Sequence, residues 1–242
     1  MYRSTFIRFY IKRTSSNIDN TKNLPKPKCF SLRSHWYTCC YDNLIVPLLR
    51  RMLILEELTI FLSVIRNEST SIDSTQLYND FLMHMPQLSK FNFSIHANIF
   101  NNDIDIDFPS NNDILNSFIK REYQKVNLYA DDQLTRNWGC CHVYSLPYHF
   151  NEFLFMTGRF QGGMFNKVRL LVMQDIRPFE SELFKIISQD FPFLESLSII
   201  KRVPQRNKQH SSTFITFPHL LTLNLTVAHT DYVVQFLFKK KY

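Results

Sequence analysis

The chain has 242 residues, 45% of them hydrophobic and 23 of them Phe, enough apolar content to build one sizeable core and too much for a chain disordered by composition. Its net charge of +7 gathers at one end: residues 1–51 hold ten Lys/Arg against Asp19 and Asp42, and the remainder is close to neutral, which excludes a domain-wide basic surface for nucleic acid. Four glycines argue against glycine-rich phosphate loops, and the longest apolar stretch, residues 58–65, is far below the ~18 residues of a membrane span.

In chain order, residues 1–13 place Arg3, Arg8, Lys12 and Arg13 among aromatics with no acid before Asp19, the composition of an organellar transit peptide; a ragged or alternative N-terminus is the other explanation. Residues 14–28, polar and holding Pro25 and Pro27, read as linker, so residues 1–28 form a basic, flexible leader. Cys39-Cys40 and Cys140-Cys141 are adjacent, where metal motifs separate their ligands by two to four residues, so reduced thiols in the cytoplasm or nucleus are expected, with organellar import as the alternative.

From residue 29 onward, helical and strand patterns alternate. Leu44 stands in a helical pattern before alternating Leu55, Leu58 and Ile60; Asp73 with Gln76 forms a capping box for a helix holding Leu77 and Phe81. Met85-Pro-Gln-Leu88 leads into Leu88, Phe91 and Phe93. Residues 96–139 read as an insertion with a helix at Ile114, Leu115, Phe118 and Ile119, then a strand at residues 141–146 and a helix at residues 151–157 ending before Gly158. Val168, Leu171 and Met173 alternate; a helix opening at Pro178 carries Phe179, Leu183, Ile186 and Ile187 on one stripe. Phe191-Pro-Phe-Leu194 and Phe217-Pro-His-Leu220 repeat the earlier tetrapeptide, and residues 230–238 begin another helix before Lys239–Lys241 cut the array short.

Val168, Leu194 and Leu220 follow one another at 26 residues, inside the range of leucine-rich repeats. Units that small cannot bury their own apolar stripe and must stack, so the pattern predicts an α/β fold of irregular leucine-rich-repeat type: a solenoid over residues 29–242 with a curved parallel sheet and helices on its convex face. The alternative is an ordinary α/β domain whose short strands match the template by chance.

The segments SHWYTCCYDNLIVPLLRRM, CCHVYSLPYHFNEF and LFKIISQDFPFLESLSII resemble the leucine-rich-repeat region of F-box proteins, in particular a little-characterised invertebrate group, over about residues 29–238. The resemblance implies that the repeats capture a protein for ubiquitylation, and that docking to the Skp adaptor of a cullin complex follows only if an F-box is present. Leu24-Pro25-Lys26 lacks the acidic residue and apolar pair of that motif, and the repeat's usual Asn or Cys is replaced by Ser63, His96, Ile176, Arg202 and Ala228.

Searches for chemistry return little. Asp103, Asp105 and Asp107 are spaced like a calcium loop, but Phe108 and Ile114 occupy the places of its Gly and Glu. Gly158, Gly162 and Gly163 lack the Lys-Ser/Thr of a phosphate loop. His84, His96, His149 and His219 stand at no recognisable spacing from a nucleophile, and Cys141 and His142, consecutive on a strand, diverge. No cofactor, metal, nucleic acid or membrane span is expected, and the chain reads as a non-catalytic protein-binding module. Its predicted contact surface is the outward row between the leucines: Glu57, Thr59 and Phe61; Lys90, Asn92 and Ser94; Leu170, Val172 and Gln174; Ser196, Ser198 and Ile200; Thr222, Asn224 and Thr226. Two alternatives stay open: an enzyme using Cys140, Cys141, His142 or the acidic 103–107 cluster, and a truncated gene copy without independent function.

Overall fold

Five tetrapeptides of similar form build the same turn. Leu55, Leu88, Val168, Leu194 and Leu220 each donate their backbone N–H to the carbonyl three residues earlier, on Met52, Met85, Phe165, Phe191 and Phe217, at 3.1 to 3.2 Å. The two amides after each turn then converge on the carbonyl just ahead of a preceding strand: those of Ser89 and Lys90 on Glu56, those of Glu195 and Ser196 on Arg169, those of Leu221 and Thr222 on Glu195. Each turn thus launches a strand one step across a sheet.

The computed structural model describes residues 6–10, 27–67, 72–100, 110–120, 125–135, 138–175, 177–205 and 215–237. The chain divides into two compact units, Met1–Pro147 and Tyr148–Tyr242. The first contains β1 (Phe6–Tyr10), β2 (Cys29–Thr38), a π turn at Tyr41–Ile45 running into α1 (Val46–Arg50), β3 (Glu57–Asn67), α2 (Ser74–Asp80), β4 (Lys90–Phe100), α3 (Asn111–Lys120), β5 (Val126–Thr135) and β6 (Trp138–Ser145). Its six strands are ordered β1-β2-β3-β4-β6-β5; the first four run parallel, while β6 is antiparallel to both β4 and β5. One face packs Leu58, Ile60, Leu62 and Val64 of β3 and Phe93, Ile95, Ala97 and Ile99 of β4 into a core with Ile45, Leu49, Leu77, Phe81 and Phe118. Helix α2 is capped as its sequence predicts, the Asp73 carboxylate accepting the Gln76 N–H at 2.7 Å. At its other end Asp80 is buried and accepts the Tyr41 hydroxyl at 3.0 Å and the Gln76 amide at 3.0 Å.

The second unit contains β7 (Glu152–Met156), β8 (Leu170–Gln174), α4 (Ser181–Asp190), β9 (Ser196–Lys201), β10 (Thr222–Ala228) and α5 (Thr230–Leu237). Its strands form a fully parallel sheet ordered β10-β9-β8-β7. Below β7 and β8 the rings of Tyr148, Phe153, Phe160, Phe165 and Phe191 interlock, Phe165 and Phe191 stacking at 4.7 Å and 4° and the others mostly meeting edge-on or tilted. Gly163, at φ 151°, makes the turn into this cluster possible: a Cβ there would stand 2.8 Å from the Phe165 ring.

The predicted solenoid is not what forms. The strands fall into a mixed sheet and a separate parallel sheet, with few helices, where one continuous parallel sheet backed by a helix per repeat was expected. Two residues separate β5 from β6, far short of the dozen or so that a parallel crossover needs, so the pair closes as an antiparallel hairpin. That hairpin lies against β4 and takes the edge where a further parallel strand would stack. No helix joins β7 to β8 either; residues 157–169 make that connection as loop and turn.

Local expectations shift as well. Residues 151–157, expected as a helix, contain β7, whose Phe153, Leu154, Phe155 and Met156 are all buried, the continuous apolar run of a strand covered on both faces. The helix expected from Pro178 starts at Ser181 with Glu180 at its cap. The 96–139 insertion holds the end of β4, all of α3 and β5, and the start of β6. Within the expected leader, Phe6–Tyr10 pair with β2 as strand β1. Residues 1–5 and 11–26, Asp103, Asp105 and Asp107, Ile176 and Lys239–Lys241 lie outside the described residues.

Candidate functional site

In the second unit the row between the leucines forms an ordered face. Backbone register sets Leu170 beside Ser196 and Ser196 beside Thr222, then Val172 beside Ser198 and Ser198 beside Asn224, then Gln174 beside Ile200. Alternation sends Leu171, Met173, Leu197 and Ile199 into the core and leaves this lattice on the other side. Leu170, Val172, Ser196, Ser198 and Ile200 are half-buried; Gln174, Thr222, Asn224 and Thr226 are exposed. The register departs from simple alternation at one corner. The register slips between Asn224 and Val227, so Val227, 36% exposed, stands beside Ile200 in place of Thr226. The Asn224 side-chain oxygen holds this bulge, accepting the Thr226 N–H at 3.1 Å and hydroxyl at 2.7 Å.

The carboxyl ends of these strands open into two shallow hollows. One, of about 410 Å3, is lined by Gln174, Asp175, Ile200, Lys201, Arg202, Val203 and Val227. The other, of about 340 Å3, is lined by Arg202, Thr226, Val227, Ala228, His229 and Thr230. They share Arg202 and Val227. None of the basic residues here was among the predicted contacts, because they follow the last apolar position of the strand and belong to no alternating pattern.

The six predicted contacts in the first unit also lie side by side, Glu57 with Lys90, Thr59 with Asn92 and Phe61 with Ser94. Only the lower part of this row faces water. Glu57 and Lys90 are exposed and pair at 3.2 Å, whereas Phe61, Asn92 and Ser94 are buried. The reason is the sheet's continuation on both sides. Strand β2 brings the His35 ring and the Arg33 guanidinium each within 5.9 Å of the Phe61 ring, and β6 sets Tyr144 directly opposite Ser94 and His142 opposite His96. Phe61, predicted to face outward, is therefore covered by its own sheet's neighbours.

The covered face contains a polar cluster that sequence reasoning did not assemble. Ser94 Oγ lies 2.9 Å from His142 Nε2, and the Tyr129 hydroxyl lies 3.1 Å from Nδ1 of the same ring. The rings of His96, Tyr129 and Tyr144 surround His142 at 5.2 to 5.4 Å. Burial holds the His142 pKa well below the ordinary value, with neighbouring His96 adding to the depression, so the ring is neutral. One ring nitrogen then donates to one hydroxyl and the other accepts. A serine hydroxyl on imidazole has the form of a nucleophile and base. Here both residues are buried and the third member is an uncharged phenol, which offers no anionic partner to an imidazolium, so the arrangement ties β4, β5 and β6 together. It was invisible in the sequence because Ser94, Tyr129 and His142 meet only through antiparallel pairing.

The cysteines separate as strand alternation requires. Cys141 joins the core, its thiol pushed up to about 12 by burial, while His142 turns to the opposite face. Cys140 is buried, Cys39 exposed and Cys40 half-buried, all as free thiols. Among the described residues no group of three or more His, Cys, Asp or Glu side chains is placed to hold a metal ion, and no helix is long and apolar enough to cross a membrane. Comparison with protein families, curated proteins and solved structures finds no match to this chain.

Proposed function

We propose that this chain is a non-catalytic protein-binding module whose contact surface is the open face of the second unit's sheet. The observation that carries the reading is the lattice itself: Leu170, Val172 and Ile200 interleaved with Ser196, Ser198, Thr222 and Asn224 at fixed spacing on three adjacent strands. Apolar anchors among uncharged hydrogen-bonding groups on a rigid support are the composition of a recognition surface. Nothing in that lattice carries charge, so a partner covers it without stranding an ion in the interface.

Within this reading, the likeness of the segments around residues 34–52, 140–153 and 183–200 to an F-box group supports a role as substrate receptor in a ubiquitin ligase. The test is affinity capture with the wild-type chain and with a Val172→Asp/Ile200→Asp variant. Proteins held by the wild type should be lost by the variant at an unchanged melting temperature; equal capture by both overturns the assignment. Recovery of the Skp adaptor with the wild-type chain supports the ligase role, and its absence from an otherwise occupied chain removes that role.

A further inference from the structure

We propose that the segment docking on this face is acidic, and that one of its Asp or Glu side chains seats at Arg202 where the strands end. This rests on the binding-face reading and gives it a direction. Arg202 is exposed and borders both hollows, and it has no ion pair or hydrogen bond among the described residues. Several other cations of the unit are engaged: Arg169 faces Glu195 at 3.3 Å, Lys185 faces Glu182 at 2.7 Å and Lys167 lies 3.2 Å from His149 Nδ1.

Beside Arg202, Lys201 is buried. Its ammonium donates to the Asp175 carbonyl at 2.9 Å, and the two remaining N–H groups make no hydrogen bond within the described residues. The nearby acids are turned onto the protein's own backbone. Asp175 accepts the N–H groups of Gly158 at 2.6 Å and Arg177 at 2.9 Å, and Asp231 accepts the Gln205 N–H at 3.2 Å while its other oxygen stands 3.5 Å from His229 Nδ1. Asp175 keeps its charge and acts on the Lys201 ammonium, so Arg202 is the cation at this end of the neutral lattice that has no ion pair or hydrogen bond among the described residues. An extended segment with apolar side chains over Leu170, Val172 and Ile200 meets that charge when an acidic residue lies at its end nearest Arg202. A carboxylate is the complement: it is planar, matches the guanidinium fork, and in a hollow partly screened from water gains more from the charge than on an open surface.

The test uses the full chain and an array of octapeptides of alternating leucine in which Glu, Gln or Lys is walked along the sequence. Glu-bearing members are expected to bind about tenfold more tightly than their Gln counterparts at low salt, with the gap closing in high salt. Arg202→Glu should erase the preference for Glu and favour Lys, at an unchanged melting temperature because Arg202 makes no hydrogen bond or ion pair among the described residues. Val172→Asp should weaken all three series together. If Gln peptides match Glu peptides while Val172→Asp still weakens both, the acidic assignment fails and the binding face stands. If no peptide binds, or Val172→Asp changes nothing, the binding face itself is overturned.

Discussion

His142 couples the first unit to pH through one ring. Its pKa in the folded chain is held well below the ordinary histidine value by burial, so the unfolded chain takes up a proton that the folded chain refuses. Stability rises with pH wherever the unfolded state binds more protons, so this contribution is fully present above about pH 6.5 and is lost as pH falls below it. The loss approaches about 1.4 kcal/mol per pH unit for one proton until the folded ring itself titrates. Chemical denaturation at a series of pH values between about 7 and 5 should show the midpoint falling, and His142→Gln should flatten that slope whatever its effect on stability at neutral pH. An unchanged slope in the variant would show that other groups govern the acid response.

Helix α2 offers the plainest test at the scale of an element. Its Asp73 cap satisfies the Gln76 amide at 2.7 Å, and Leu77 and Asp80 are buried beneath it, so the helix has both a start signal and an anchored face. Asp73→Ala should cost about 1 kcal/mol, measured as a lowered denaturation midpoint, while Asp73→Ser should recover most of it. Elements of this kind were legible in advance because caps, i→i+3 turns and three-to-four-residue stripes are local. The Met85 and Phe191 turns and the stripe containing Leu183 and Ile187 stand where the spacing places them. β7 was misread because Phe153 to Met156 is a short apolar run without an alternating polar face, which periodicity alone cannot separate from a buried helix.

For the whole molecule, Phe61 and Val172 make a matched pair. Both were predicted to face a partner from the same alternating pattern; Phe61 is 3% exposed and Val172 half-buried on the open lattice. Phe61→Asp places an unpaired charge in a covered layer and should cost more than about 4 kcal/mol, collapsing the first unit's melting transition. Val172→Asp should leave melting within about 0.5 kcal/mol and act on binding alone. Similar effects of the two on melting would contradict the burial that separates them.

The amino-acid order alone determined which residues pair off across a strand and which tetrapeptides turn, because side-chain alternation and a four-residue hydrogen bond require no distant partner. It also determined the two rows of three, Leu170, Ser196 and Thr222 and then Val172, Ser198 and Asn224, which follow from spacing once those strands lie parallel. Tertiary structure alone decided how many sheets there are, that the β5–β6 hairpin ends the first array, that Ser94 and Phe61 lie under a layer of rings, and that a bulge exchanges Thr226 for Val227 beside the hollow that Arg202 borders. Each depends on which strand occupies the neighbouring edge. That choice is made by long-range hydrogen bonding and burial, and the same alternating pattern is compatible with either a covered or an open face.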